Sequence, residues 1–366
     1  MPVDTQVRTV LLAQPRGFCA GVEMAIKALS WMVRVFEPPV YCYHEIVHNR
    51  LVVDRFRELG VVFVDGIDDV PDGAPLMLSA HGSAPEVVRA ARARDRFVVN
   101  AVCPLVTKVH HEAKVRAGKG YTVLYVGHAG HDEAAGTLAV APDAIRLVEH
   151  EDDLATVLPT VDDPTKVALL AQTTLSMHDW EGIADRARAE FPALWTAARN
   201  DLCFATTNRQ AALQAIAAEA DAIVVIGSAN SSNTLALAKV ASAAGCPTVV
   251  RIDGPDELDA DSPDTKALFD AHVVGVTAGA SAPEDLVQAV IARLAPTDGV
   301  VPVHVTEEDE YFPPPRELRE LMGVLDVAAP ALFGGPLPSR GTAHAPTTAG
   351  AFTDDRRVDA SDVLAG

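Results

Sequence analysis

The feature that most constrains this chain is a local pattern repeated along its length: a short β-rich run, a loop of small residues, then a helical pattern. RTVLLAQ, PLMLSA, RFVVNAV, TVLYVG, KVALLAQ, AIVVIG and HVVGVTA all follow it. Such alternation predicts a parallel α/β architecture. Several runs are apolar throughout, as expected of strands covered by helices on both faces. In such sheets ligands bind outside the carboxyl ends of the strands, where these loops lie. A weak internal similarity points the same way: LSAHGSAPEVV at 78–88 is similar to VTAGASAPEDLV at 276–287. Both read as a strand end followed by a helix start, with Ser83 and Ser281 expected as N-caps and Pro85 and Pro283 inside the first turn. Three α/β units are expected, with Cys19, Cys103 and Cys203 falling one per unit.

At 366 residues, with 49% hydrophobic and 22% charged residues, the composition is that of a globular protein of more than one domain. The opening MPVDTQVRTVLLAQPRGF lacks the apolar core of a signal peptide, and no stretch reaches the roughly 18 uninterrupted apolar residues of a membrane span. A cytoplasmic location is therefore expected, where five cysteines serve better as thiols, metal ligands or redox groups than as disulfides. The net charge of −20 argues against a nucleic-acid partner. It also means that any anionic ligand must be held by local donors against the overall field. After about Met322 the sequence turns to Ala, Pro, Gly and Thr with few aromatic anchors, which predicts a tail without fixed structure.

Cys19, Cys103 and Cys203 each stand just before a helical pattern. Val22, Ala25, Ile26 and Leu29 follow the first at helical spacing, Pro104 follows the second, and Thr207-Asn208-Arg209-Gln210 offers a capping box after the third. A thiolate at a helix start is stabilised by unpaired amides and the helix dipole, so all three are candidate ligands or nucleophiles. Three thiolates suit a cubane iron–sulfur cluster with one iron left open. Zinc held by three cysteines and a histidine satisfies the same spacing, since no close C-x-x-C pair marks either metal. Cys42 and Cys246 lack the helix-start setting and read as packing residues.

Histidines gather in the loops: His44 and His48 in YHEIVHN, His81 in SAHGS, His128 and His131 in GHAGHDEA. Imidazole can donate to a phosphoryl oxygen without a permanent charge. Glu133, two positions beyond His131, is a candidate proton donor, although a first-turn glutamate is also ordinary helix chemistry. Ser231, Ser232 and Asn233 in GSANSSNT, and Thr173 and Thr174 in AQTTLS, fall at strand-to-helix junctions that suit caps and anion sites alike. Neither a Walker loop nor a GxGxxG fingerprint is present, so no bound nucleotide is indicated.

In order along the chain, PRGFCAGV, HEIVHNR, SAHG, CPLVTKVH, GHAGHDE, QTTLS, CFATTNRQ, NSSN and VTAGASAP resemble the 4-hydroxy-3-methylbut-2-enyl diphosphate reductase family of the methylerythritol phosphate pathway. The resemblance runs from about Leu11 to Leu318. It implies three similar small α/β domains in a pseudo-threefold arrangement around a central iron–sulfur cluster. Their expected extents are 21–103, 104–199, and 1–20 with 200–297, followed by an arm over 298–322 and the tail 323–366. It further implies a 4Fe-4S cluster on Cys19, Cys103 and Cys203 with the fourth iron open to substrate. His48, His81, His131, Ser231, Ser232, Asn233 and Ser281 match diphosphate-binding positions, while Glu133 and Thr173, with His131 beside them, match the polar relay near the substrate hydroxyl.

The implied reaction takes two electrons, one at a time, from a ferredoxin or flavodoxin. The hydroxyl leaves as water, and protonation at either end of the allylic system gives isopentenyl or dimethylallyl diphosphate. Asn100 and Val102 stand where the family pattern has an acidic residue and threonine, and Thr234 where it has serine. Two other readings compete: an electron-transfer or sensor protein carrying the same cluster, and a zinc-stabilised binding protein without catalysis.

Overall fold

The computed structural model describes residues 6–94, 96–197, 201–333 and 359–361. In chain order the elements are β1 (Thr9–Gln14), α1 (Ala20–Val35), β2 (Val40–Tyr43), α2 (Arg50–Glu58), β3 (Val61–Val64), β4 (Leu76–Leu78), α3 (Pro85–Ala93), β5 (Val98–Asn100) and α4 (Pro104–Gly118). There follow β6 (Thr122–Val126), α5 (Asp132–Leu138), β7 (Ile145–Val148), α6 (Leu154–Val157), β8 (Val167–Ala171), α7 (Met177–Glu190), β9 (Trp195–Thr196) and α8 (Phe204–Ala217). The last group is β10 (Ala222–Ile226), α9 (Ser232–Ala243), β11 (Val249–Ile252), α10 (Lys266–Phe269), β12 (Val273–Ala278), α11 (Glu284–Leu294), β13 (Gly299–His304) and α12 (Arg316–Phe333).

All seven β-rich runs read from the sequence are strands, and they form three parallel sheets. The orders are β3-β2-β4-β5, β7-β6-β8-β9 and β11-β10-β12-β1-β13. The first two share one topology. The third repeats it with β1, from the start of the chain, in the place that β5 and β9 hold, in register Thr9 to Val273 through Leu12 to Val276. This placement determines where the cysteines fall. The strand in the fourth place of each sheet leads to a cysteine at the next helix start: β1 to Cys19 and α1, β5 to Cys103 and α4, β9 to Cys203 and α8. Three copies of one topology thus bring three helix N-termini towards one another.

The strands that the sequence reading passed over are short or lie at sheet edges. β13 carries Pro302, which an edge strand tolerates because one row of its amides needs no ladder partner. Each lobe buries its own apolar set: Leu29, Met32, Phe56 and Met77 in the first, Leu124, Leu169 and Trp180 in the second, Val224, Val276 and Val287 in the third.

Three local expectations are corrected. Ser83 and Ser281 are not N-caps. Ala84 and Pro283 occupy those positions without a side-chain cap bond, because Pro85 and Glu284 begin the helices later than the capping-box spacing requires. Thr207 does not open a capping box either, since α8 begins at Phe204 and is capped by Cys203. The change at Met322 does not end order, because α12 continues to Phe333 with Met322 and Leu325 packed on the first lobe. Ala360 is fully buried against that lobe, and the Ser361 hydroxyl accepts from the Glu284 amide at 3.3 Å. The rest of the expected tail, 334–358 and 362–366, lies outside the described residues.

Candidate active site

Cys19, Cys103 and Cys203 are the N-cap residues of α1, α4 and α8 and line one cavity among the lobes. Gly21, in the first turn of α1, lets the Cys103 sulfur pack against that helix beside Cys19. A Cβ there would stand 2.7 Å from the Cys103 Sγ and 4.0 Å from the Cys19 Sγ, so no other residue fits without displacing the sulfur. Burial pushes all three thiols up, Cys203 to about 12, against partial relief from helix amides. Negative sulfur is therefore disfavoured here unless a cation shares the site, which suits a metal group and not a free nucleophile. The Cys203 Sγ accepts from the Thr206 amide at 3.2 Å and lies 3.0 Å from its hydroxyl. Cys42 and Cys246 are buried in the first and third cores away from the cavity.

Arg209, which the sequence reading used only as a cap residue, is fully buried behind Cys19. Its guanidinium donates to the carbonyls of Gly17, Phe18 and Ala205 at 2.9–3.0 Å and to the Glu308 carboxylate at 3.0 and 3.1 Å. The loop that carries Cys19 is thus held by a planar cation with its donors satisfied, and Arg209 lowers the Cys19 thiol against the effect of burial.

The same cavity is lined by His48, His81, His131, Glu133, Thr173, Thr174, Ser231, Ser232, Asn233 and Ser281, whereas His44 and His128 are not among its lining residues. The loops after β2, β4 and β6 stack the His48 and His81 rings 3.7 Å apart at 8°, with His131 edge-on to both. The His131 Nδ1 accepts from the Glu133 amide at 3.1 Å, so the neutral ring carries its proton on Nε2. Burial, then the neighbouring His48, lowers His131 to about 3 and keeps it neutral.

Glu133 is 2% exposed. The Thr173 amide and hydroxyl donate to its two oxygens, each at 2.8 Å. Burial raises its carboxyl to about 7, Thr173 opposing and Asp201 reinforcing the shift, so Glu133 can hold a proton near neutrality.

On the opposite wall, Ser231 caps α9 by accepting from the Thr234 amide. Asn233 bridges Thr206 and the Ala280 amide, and the Ser281 hydroxyl donates to the His48 carbonyl at 2.8 Å. The Ser231 hydroxyl proton and one Asn233 N–H remain for a ligand, whereas the Ser281 hydroxyl must turn from the His48 carbonyl to donate to one. Two of the unusual positions have local explanations: the Asn100 side chain accepts from the Val102 amide, and Thr234 fills space against Gly227 and Gly279.

The sequence reading missed Phe312 and Asp132. Phe312 comes from the Pro-rich arm after β13 and is far in sequence from any motif. Asp132 looks like a first-turn acid, but it lies among three histidines.

Three parallel-sheet lobes around a cavity of three helix-capping cysteines, with a histidine cluster and a buried protonatable glutamate, define a redox or metal enzyme for an anionic substrate. A sequence profile described as LytB protein matches residues 10–295, and the chain belongs to that family. It is 48% identical over 312 residues to the 4-hydroxy-3-methylbut-2-enyl diphosphate reductase of Rhodopirellula baltica, covering 85% of this chain and 95% of that one. It is 45% identical over 319 residues to the protein of the same name from Mycolicibacterium vanbaalenii, covering 86% and 92%. Among solved structures it is similar to the E-1-hydroxy-2-methyl-but-2-enyl-4-diphosphate reductase of Plasmodium falciparum, with a TM-score of 0.81, 30% identity and coverage of 87% and 99%.

Proposed function

We propose that this protein removes the hydroxyl group of (E)-4-hydroxy-3-methylbut-2-enyl diphosphate by reduction, giving isopentenyl and dimethylallyl diphosphate. The observation that carries the reading is one cavity lined by three cysteine N-caps, a histidine cluster and the Glu133–Thr173 pair. Cys19, Cys103 and Cys203 fit a 4Fe-4S cluster, because they line one cavity and the buried sulfurs need a cationic partner. When bound, that cluster supplies single electrons and an open iron for the hydroxyl oxygen.

The chain's own groups do the rest. The His131 Nε2–H, His48, His81 and the hydroxyls of Ser231, Ser232 and Ser281 hold the diphosphate, with the Asn233 amide fixing the loop opposite. A set of neutral donors and helix starts binds an anion inside a chain of net charge −20 without a cluster of lysines. Glu133 donates the proton that lets the hydroxyl leave as water, and the Thr173 hydroxyl orients its carboxyl. The apolar wall of Val22, Leu105 and Phe312 excludes water from the allylic carbons. Electrons come from a separate ferredoxin or flavodoxin, since the sequence holds no flavin or nicotinamide fingerprint. The protein works in the cytoplasm; no helix among the described residues is long and apolar enough to cross a membrane.

The test is turnover. Anaerobically purified protein with a chemical reductant should convert the hydroxylated diphosphate to the two five-carbon products. Bound substrate that stays unreduced would support a binding protein instead.

A further inference from the structure

We propose that the exposed face of α4 is the docking surface for a small acidic protein that delivers single electrons. From its N-cap Cys103 to its C-cap Lys119, α4 shows solvent the positions Thr107, Lys108, His111, Lys114 and Lys119, which recur at helical spacing. Lys108, Lys114 and Lys119 are three of the seven lysines in a chain of net charge −20. They form a stripe roughly 16 Å long on one helix.

The acids nearby do not cancel this stripe. Glu112, on its flank, is paired with Arg116 at 3.5 Å. Asp201 lies 3.4 Å from the Lys108 ammonium, but its side chain is 1% exposed against 47% for Lys108, so solvent meets the cation. Lys114 and Lys119 have no ion-pair partner among the described residues. The other cation-rich stretches differ, since Arg50 is paired with Asp253, Arg55 with Asp285, Arg92 with Glu317 and Arg94 with Asp68. An acidic protein is thus repelled by most of this chain and attracted to α4, which orients it as well as holding it.

The same helix sets the distance to the cysteines. In its first turn Leu105 and Val106 line the central cavity while Pro104 and Thr107 are exposed, and the Thr107 hydroxyl donates to the Cys103 carbonyl at 3.3 Å. A partner covering Thr107 and Lys108 therefore lies within about 8 Å of Cys103 along the helix axis. The positive end of the α4 dipole adds to the attraction there. Electron-transfer encounters use small interfaces, which a charged stripe of this length can align without a large apolar patch. Each docking oxidises the carrier by one electron. Two dockings supply the two electrons that, with two protons, replace the substrate C–O bond by C–H and release water. The role of α4 as an entry point rests on the reductase reading above, whereas carrier binding is measured without turnover.

The experiment compares Lys114→Glu with Lys119→Glu in one chain against Lys239→Glu with Lys266→Glu in another, an equal change of net charge on exposed lysines of α9 and α10. Calorimetry measures binding of an acidic ferredoxin to the anaerobic, cluster-loaded protein, and substrate reduction is driven either by reduced ferredoxin or by dithionite. The α4 pair should weaken ferredoxin binding and raise its KM by about 10-fold or more, with kcat at saturating ferredoxin and the dithionite rate unchanged. Raising salt from about 0.01 to about 0.15 M shortens the Debye length from about 30 to about 8 Å, and should weaken ferredoxin binding to the parent more than to the α4 pair. The control pair should match the parent. Lys114→Gln with Lys119→Gln repeats the test if charge reversal disturbs folding, with a smaller loss in the same direction. Unchanged ferredoxin binding in the α4 pair, an equal loss in the control pair, or α4-dependent binding of anionic vesicles in place of ferredoxin would overturn the proposal. A parent that binds ferredoxin through α4 yet reduces no substrate with either donor would uphold the docking surface and contradict the reductase reading.

Discussion

Thr173 grips both oxygens of Glu133, through its amide and its hydroxyl at 2.8 Å each, and so joins the end of β8 to the first turn of α5 across the second lobe. The carboxyl lines the cavity yet is buried, as the proposed acid role requires.

Glu133→Gln keeps the shape and removes the proton. Turnover should fall by about 10²–10⁴-fold with substrate affinity nearly unchanged. Single-turnover reduction compared with binding checks this, and near-normal reduction would remove Glu133 from the acid role.

Because burial raises the Glu133 carboxyl to about 7, the acid form is full below that value and is lost as pH rises through it. The rate of the chemical step should therefore decline above about pH 7. In linkage terms the native state holds this proton between the ordinary glutamate range and 7, so this group's contribution to stability falls as pH rises across that window. A pH–rate profile unchanged between the parent and Thr173→Val would show that another group controls it.

Gly21→Ala sets two effects against each other. Alanine favours helix α1 by up to about 1 kcal/mol. Its Cβ, however, would stand 2.7 Å from the Cys103 Sγ. The expected result is an equally or more stable apoprotein with markedly less bound iron. Full iron incorporation would show that the Cys103 sulfur can move aside without losing the metal group.

Arg209→Met removes the buried cation from partly buried Glu308 and leaves the Gly17 and Phe18 carbonyls without their donor. Breaking a fully buried pair costs about 3–5 kcal/mol, and the partial exposure of Glu308 puts the expected loss at or below the lower end of that range. Denaturant titration should show that loss, along with weakened retention of the metal group beside Cys19.

The repeated strand–loop–helix pattern made the α/β class legible, and the helix-start position of each cysteine was plain from the residues after it. What local pattern could not give was pairing over long separations. That β1 enters the third sheet depends on Thr9 meeting Val273, and the sequence reading took this only from family resemblance. The capping boxes at Ser83 and Ser281 failed because these serines lie one and two residues before the observed N-caps, Ala84 and Pro283. Asp132 and Arg209 were missed for a related reason: apart from the Ala205 carbonyl one turn from Arg209, the partners named above lie 51 to 192 positions away, beyond the reach of any motif. The helix beyond Met322 was hidden by composition, since Ala- and Pro-rich text reads as loop until the first lobe offers it a surface.

The most direct measurement is iron and sulfide content with substrate reduction, on anaerobic protein and on Cys19→Ser, Cys103→Ser and Cys203→Ser, with Cys42→Ser and Cys246→Ser as controls. A brown protein with about four irons and four sulfides per chain is expected, reducing the diphosphate and losing both properties in each of the first three variants. The two control variants should match the parent. A colourless protein with zinc on its cysteines, or one that loses its iron with Cys42→Ser and keeps it with Cys103→Ser, would contradict the account.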